Sequence, residues 1–471
     1  MGNDRKLISL GLPALASLLI GAEPALAHAS DRGHVLLLPT EHYLVGGAIT
    51  VLASFVVLTL LPAAPLHRAM QRHWRLALPL PRARAIVSTA SFGLMILLLS
   101  AGWFGSRDPL ANPLPLTFWS LIWVGLVVLQ GVVGNVWGWV NPWYGPWRIA
   151  MLLTARLPKS RMAWPRHLAT WPSVGGLAAF VWFELVDPAP DDPHRLANVI
   201  AGYWLVTFVA ILIFGYRRWS ARGEFLSVFL AIIARLPAVC IGERNIILRP
   251  PATALMNAPR LPPSGVVFLL LALSSVTFDG LRHTFLWMRV IGVNPLEFPG
   301  RSAVMPQTTV GLTIAFMLLS SAFVGAIVLG HILAGTTVPL KRALSCLVWT
   351  IVPISFAYHF AHYLPSLLID GQFALVALSD PFAVGQDWFG TSNYHVQAAL
   401  LSGAQSVWIL WNVQAATIVA GHIVAIIASH VIAWRIYGDG PTAIITQLPL
   451  VVLMIVYTVI GLWLLSTPTA I

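Results

Sequence analysis

Charge is scarce in this chain. Of its 471 residues only 10% are Asp, Glu, Lys or Arg, and 58% are hydrophobic. Soluble domains carry roughly 25% charged residues. With a mean hydropathy of +0.79, that shortage excludes a water-soluble globular protein and puts the lipid bilayer first among the partners. Cysteine is nearly absent as well. Cys240 and Cys346 lie in or beside apolar segments and exclude a disulfide framework. A G-x-S-x-G elbow, H-E-x-x-H, a P-loop and paired C-x-x-C are all missing, so ordinary serine hydrolase, zincin and ATPase chemistry has no support. The formal charge of +11 does not imply nucleic acid, because the basic residues fall in short loops between apolar segments, as a positive-inside bias requires.

What is present is a series of apolar segments. Arg5 and Lys6, the core Leu7–Ala22 and Ala25-Leu26-Ala27 read as a signal peptide over 1–27, cleaved after an A-x-A site; residues 28–471 then form one membrane domain. Cleavage leaves His28 as the external N-terminal residue. Candidate spans are Tyr43–Leu61, Ala85–Phe104, Leu116–Trp137, Trp171–Val186, Val199–Tyr216, Gly265–Phe278, Thr308–Leu333, Leu344–Leu368, Ser406–Trp434 and Ala443–Leu465. Each can cross a hydrocarbon core of about 30 Å, the shorter ones with help from their flanks. The loops then alternate: one set holds Arg68, Arg72, Arg75, Arg82 and Arg84, then Arg148, Arg156, Lys159, Arg161 and Arg166, while Asp187–His194 is acidic and Asp370–His395 has no Lys or Arg. The basic set is assigned to the cytoplasm, and both the mature N-terminus and the C-terminus to the outside. Arg282, Arg289 and Arg301 fall outside, against the bias. Phe225–Val239 is apolar but has basic residues on both flanks, so it reads as re-entrant or interfacial rather than spanning. The expected fold is all-α and polytopic, with ten transmembrane helices plus this half-element.

Histidines in apolar surroundings are the candidate chemistry, because an ionisable side chain in lipid is costly unless it faces the protein interior with a partner. In Tyr358-His359-Phe360-Ala361-His362-Tyr363 the i, i+3 spacing sets two imidazoles on neighbouring positions of one helix, able to share a metal or a proton. The competing reading makes them interior histidines bonded to neighbouring carbonyls or hydroxyls. In Asp279-Gly280-Leu281-Arg282-His283 the i, i+4 carboxylate can orient the imidazole or supply a ligand. His422 falls near the bilayer centre and can join this cluster, whereas His331 and His430 fall near the cytoplasmic face and read as ordinary. A free α-amine beside the His28 imidazole can chelate copper or a similar metal. The metal set is therefore His359, His362, His283, His422 and His28, holding a divalent ion such as zinc or copper. The run Trp137-Gly138-Trp139-Val140-Asn141-Pro142-Trp143 reads as an interfacial belt or re-entrant turn, and Gly134 with Gly138 as a GxxxG packing pair.

The segments HASDRGHVLLLPT, NPWYGPWR, FDGLRHT, YHFAHYLP and AGHIVAIIASH together resemble the polytopic bacterial membrane proteins known as fenitrothion hydrolases, over essentially the whole length. That resemblance implies a bacterial inner-membrane enzyme hydrolysing a small lipophilic organophosphorus triester. A metal held by His359, His362 and His283 would activate water, with Asp279 and His283 as catalytic residues. Two alternatives use the same histidines: a copper-handling or redox membrane protein, and a proton-coupled transporter.

Overall fold

The computed structural model describes residues 40–467, apart from 61–62, 71, 78–82, 155–161, 242–244, 295–296, 398–400, 402 and 439. The expected signal peptide and His28 lie outside the described residues. Ten helical stretches among those described are long and apolar enough to cross a membrane. We label the long helices α1 (Thr40–Leu60), α2 (Arg84–Phe104), α3 (Pro113–Val133), α4 (Trp171–Leu185) and α5 (Pro193–Phe214). A short helix α6 (Phe225–Ile233) follows, then α7 (Pro263–Arg282), α8 (Met305–Ala334), α9 (Ile351–Ser379), α10 (Ala404–Tyr437) and α11 (Pro441–Ser466). The fold is all-α, and each expected span has its counterpart.

These helices are apolar all round, as lipid on one side and protein on the other demand. Leu60, Phe104 and Ile332 point large apolar side chains outward. Position in the bundle is read from burial instead. The most apolar window is 78% buried in the α9 stretch and 67% in α7, but 17% in the α8 stretch, so α9 and α7 are central. Helix α9 packs against α10, α3 and α7. Two sequence features shape its contacts. Pro365 has no N–H to give the carbonyl four residues earlier, and that carbonyl, on Ala361, accepts Gln414 Nε2 from α10 at 2.6 Å. Gly421 lets α10 approach, since a Cβ there would sit 2.5 Å from Ala357 Cβ and 2.9 Å from the Pro353 carbonyl.

Helix α6 is the half-element. Its nine residues rise only about 13 Å, far short of a membrane. Glu224 caps it, accepting from Leu226 N and Ser227 N at 2.7 Å each. Seven of its nine residues are buried, and Gln130 Nε2 of α3 bonds the Leu230 carbonyl at 2.9 Å. Non-spanning backbone at membrane depth is tolerated when buried in protein, so α6 is re-entrant rather than interfacial. The only sheet among the described residues fits that return. Strands β1 (Trp74–Ala77), β2 (Val239–Ile241) and β3 (Asn245–Leu248) pair antiparallel in the order β1-β3-β2, with Trp74 opposite Leu248. Strand β1 follows α1 and β3 follows α6. The two meet only if α2 to α5 cross four times and α6 not at all.

Two expectations change here. Trp137 and Trp143 are buried in the core rather than standing in a belt, and Trp137 Nε1 donates to Ser227 Oγ at 2.9 Å, tying the aromatic run to α6. Gly134 and Gly138 do not form a helix-packing pair. Gly134 ends its helix at φ +96°, a conformation for which glycine is the default residue, and Gly138 belongs to the next short helix.

Candidate functional site

At the bundle end opposite the sheet, α4 and α7 finish side by side and α9 passes between them and α3. Glu184 is next to last on α4, Asp279 lies in the last turn of α7, and His362 and Tyr363 lie mid-α9 just before Pro365. The Tyr363 hydroxyl is 2.8 Å from Glu184 Oε1 and 2.8 Å from Asp279 Oδ2. Asp279 Oδ2 also lies 2.8 Å from His362 Nε2, and Asp279 Oδ1 accepts Arg282 Nε at 2.7 Å. Trp123 Nε1 donates to Glu184 Oε1 at 2.8 Å. Four helices thus converge on one hydrogen-bonded chain, Glu184–Tyr363–Asp279–His362.

The two carboxylates have different company. Asp279, 3% exposed, has a guanidinium and an imidazole. Glu184 has the neutral donors Trp123 and Tyr363. Arg282 and Arg301 reach α4 through its backbone: Arg282 Nη1 donates to the Leu185 carbonyl at 3.4 Å, and Arg301 to those of Asp187 and Glu184 at 3.1 and 3.4 Å. Guanidiniums at a helix C-terminus satisfy its last carbonyls and its dipole. Those contacts give Arg282 and Arg301 their partners at this end of the bundle.

The histidines divide. His362 carries the Asp279 contact that the sequence pattern assigns to His283. His283 Nδ1–H donates instead to the Asp279 backbone carbonyl at 2.9 Å, and its distance to the carboxylate is 4.0 Å. His359 does not share His362's partner: its Nε2–H donates to the Trp123 carbonyl at 2.8 Å. Residues 116–126 form a π-helix, and where it ends the Val127 N–H turns to Val124 rather than to Trp123. Such wide turns gather at functional sites. His422 has other neighbours, lying between Tyr358 and Tyr457 at 6.2 Å from each ring, with Nδ1–H on the Ile418 carbonyl. Among the described residues no three His, Cys, Asp or Glu side chains form a group able to hold a metal ion. His359, His362, His283 and His422 each commit one ring nitrogen to a protein oxygen, an arrangement that metal-bound histidines share, and they take four different partner groups rather than one.

Beside the chain is a cavity of about 20 Å³ lined by Trp123, Glu184, Ser275, Ser355, His359 and Tyr363 among others. That is the size of a single water molecule. The Ser355 hydroxyl, buried with no hydrogen-bond partner, is on its wall. Glu184 is the residue that the histidine pattern does not mark. A lone carboxylate in the apolar run Phe180-Val181-Trp182-Phe183-Glu184-Leu185 is itself a signal of function in lipid. Compared with protein-family models, curated proteins and solved structures, the chain matches none.

Proposed function

We propose that the chain Glu184–Tyr363–Asp279–His362 is a proton relay, and that the protein is a proton-coupled membrane transporter. One observation carries this: a single phenolic hydroxyl oxygen lies between two carboxyl oxygens, 2.8 Å from each. Tyrosine has one O–H to give. It donates to one carboxylate, and the second contact is a hydrogen bond only when a proton sits on the other carboxyl. Asp279 has the cationic partner and keeps its charge, so the extra proton rests on Glu184. Glu184 then donates to Tyr363 and Tyr363 donates to Asp279, so a concerted shift along these bonds moves a proton from Glu184 to Asp279 without moving a heavy atom far. His362 Nε2–H, which donates to the ionised Asp279 Oδ2, takes that proton on only after releasing its own. If the arginine-rich loops are cytoplasmic, the relay lies in the outer half of the membrane.

The test uses purified protein in proteoliposomes enclosing a pH-sensitive dye. An imposed pH gradient should relax through the wild type about tenfold or more faster than through Glu184→Gln or Tyr363→Phe, as expected when a positioned proton carrier is lost. Infrared spectroscopy should show a protonated-carboxyl band that disappears in Glu184→Gln and survives in Asp279→Asn. No flux above empty liposomes, or a band that follows Asp279, would sink the relay.

A second reading, hydrolysis of a phosphotriester as the resemblance implies, has one observation in its favour: the water-sized cavity against Glu184 and His359. There Glu184 in its ionised form would take the proton of a water attacking phosphorus. A substrate pocket usually has about 300–1,000 Å³, so this reading needs the bundle to open beside α4. Turnover of an aryl phosphotriester, lost in Glu184→Gln, would favour it over transport. Metal analysis of the same sample tests the expected ion: a stoichiometric metal lost in His359→Ala and His362→Ala would restore that part of the expectation.

A further inference from the structure

The end of the bundle that carries the sheet has a different character. Three arginines from three separate elements line one cavity of about 320 Å³. Arg260 lies just before α7, Arg342 on the short helix Leu340–Leu347, and Arg435 in the last turn of α10. Asn257, Cys346 and Trp349 complete the polar and aromatic wall, and no Asp or Glu lines it. Among the described residues none of the three is ion-paired to a carboxylate. Arg435 is aimed by one bond, Nη1 donating to the Met256 carbonyl, which leaves most of its five N–H groups for another acceptor.

Across Asn257 lies a second cavity of about 510 Å³, lined by Arg75, Arg235 and Arg249, again with no carboxylate. Arg235 is steadied over the Trp349 ring at 5.2 Å and bonds the Ala254 carbonyl. Two neighbouring cavities therefore share a wall and present six guanidiniums. Arginines that only follow the positive-inside bias fan out singly among headgroups. These converge on two open-mouthed cavities, where like charges repel unless an anion sits between them.

We propose that the cavity of Arg260, Arg342 and Arg435 binds a phosphate-bearing anion. Its volume lies in the range of small-ligand pockets, about 300–1,000 Å³. Planar guanidinium forks match phosphate oxygens two at a time. It lies between the start of α7, the short helix Leu340–Leu347 and the end of α10, and basic pockets at the ends of membrane helices hold anionic headgroups. An anionic lipid headgroup and free phosphate share this chemistry.

Cys346 on the cavity wall reports occupancy. In a Cys240→Ser background, alkylation of Cys346 is timed in nanodiscs of phosphatidylcholine alone, of phosphatidylcholine with phosphatidylglycerol, and of phosphatidylcholine with added inorganic phosphate. Bound ligand should slow alkylation about fivefold or more once it exceeds its dissociation constant several times over. Arg342→Gln with Arg435→Gln should abolish the slowing, each lost charged contact weakening binding about tenfold. Arg342→Lys keeps the charge and is the folding control. Protection by phosphatidylglycerol alone assigns a lipid, and equal protection by inorganic phosphate assigns the phosphate itself. Equal rates in all three preparations, or protection that persists without the arginines, would overturn the site. Native mass spectrometry of the same samples should find a retained phosphatidylglycerol that the double variant lacks in the lipid case.

Discussion

Tyr363 is the residue on which the buried chain depends, because its hydroxyl is the only link between Glu184 and Asp279. Tyr363→Phe removes one partner from each carboxyl but leaves Trp123 Nε1 on Glu184 Oε1 and His362 Nε2 on Asp279 Oδ2, so each lost hydrogen bond costs about 0.5–1.5 kcal/mol. Thermal unfolding in detergent should register that loss together with the loss of proton movement. Glu184→Gln should behave differently. Trp123 Nε1 and the Tyr363 hydroxyl both meet Oε1, and a Gln carbonyl oxygen placed there accepts from both, so the unfolding temperature should change little while proton flux falls. A Gln variant as unstable as Tyr363→Phe would show that Glu184 serves packing rather than proton transfer. The histidine spacing marks Tyr358–Tyr363 and Asp279, segments that the fold brings into contact through His362 and Tyr363. It did not reveal that His362 rather than His283 takes the carboxylate. An i, i+4 pair is visible along one helix, whereas a contact between α7 and α9 depends on how the helices rotate against each other.

At the scale of elements, close approach of α9 and α10 is set by one hydrogen atom in place of a methyl. Gly421→Ala forces a carbon to within 2.5 Å of Ala357 Cβ, and such overpacking costs about 1–3 kcal/mol. Gly325 on α8 has nothing within 4 Å of the same added carbon. Gly325→Ala should therefore gain about 0.5–1 kcal/mol from helix propensity. A pair of unfolding curves checks both signs at once, and similar shifts in the two variants would contradict the packing described for α10. Pro365 illustrates what can be read in advance. A proline inside a helix announces a freed carbonyl, but only the neighbouring helix identifies Gln414 as the group that takes it.

For the molecule as a whole, the pairing of β1 with β3 sets the path of the chain. In a cysteine-free background, Arg75→Cys and Asn257→Cys should react with an impermeant thiol reagent from one side of the membrane. Asp387→Cys, in the loop between α9 and α10, should react from the other. Labelling of 75 and 257 from opposite sides would mean that α6 crosses. The two ends of the bundle are then chemically distinct: one gathers Glu184, Asp187, Asp279, Arg282 and Arg301 into neutralised groups, and the other leaves arginines facing cavities.

The sequence by itself determined that this is an all-α membrane protein and where its ten spans lie, and it marked Phe225–Val239 as re-entrant or interfacial without choosing between them. Those follow from transfer of apolar side chains into lipid and from charges that resist entering it, quantities that sum along the chain. Tertiary structure alone decided which ionisable groups meet. Glu184, Tyr363, Asp279 and His362 come from three helices distant in sequence, and Trp123 from a fourth. Helices that are apolar all round carry little periodic signal for which face turns inward. Their rotation is settled by close packing at positions such as Gly421 and by the need of every buried polar atom for a partner.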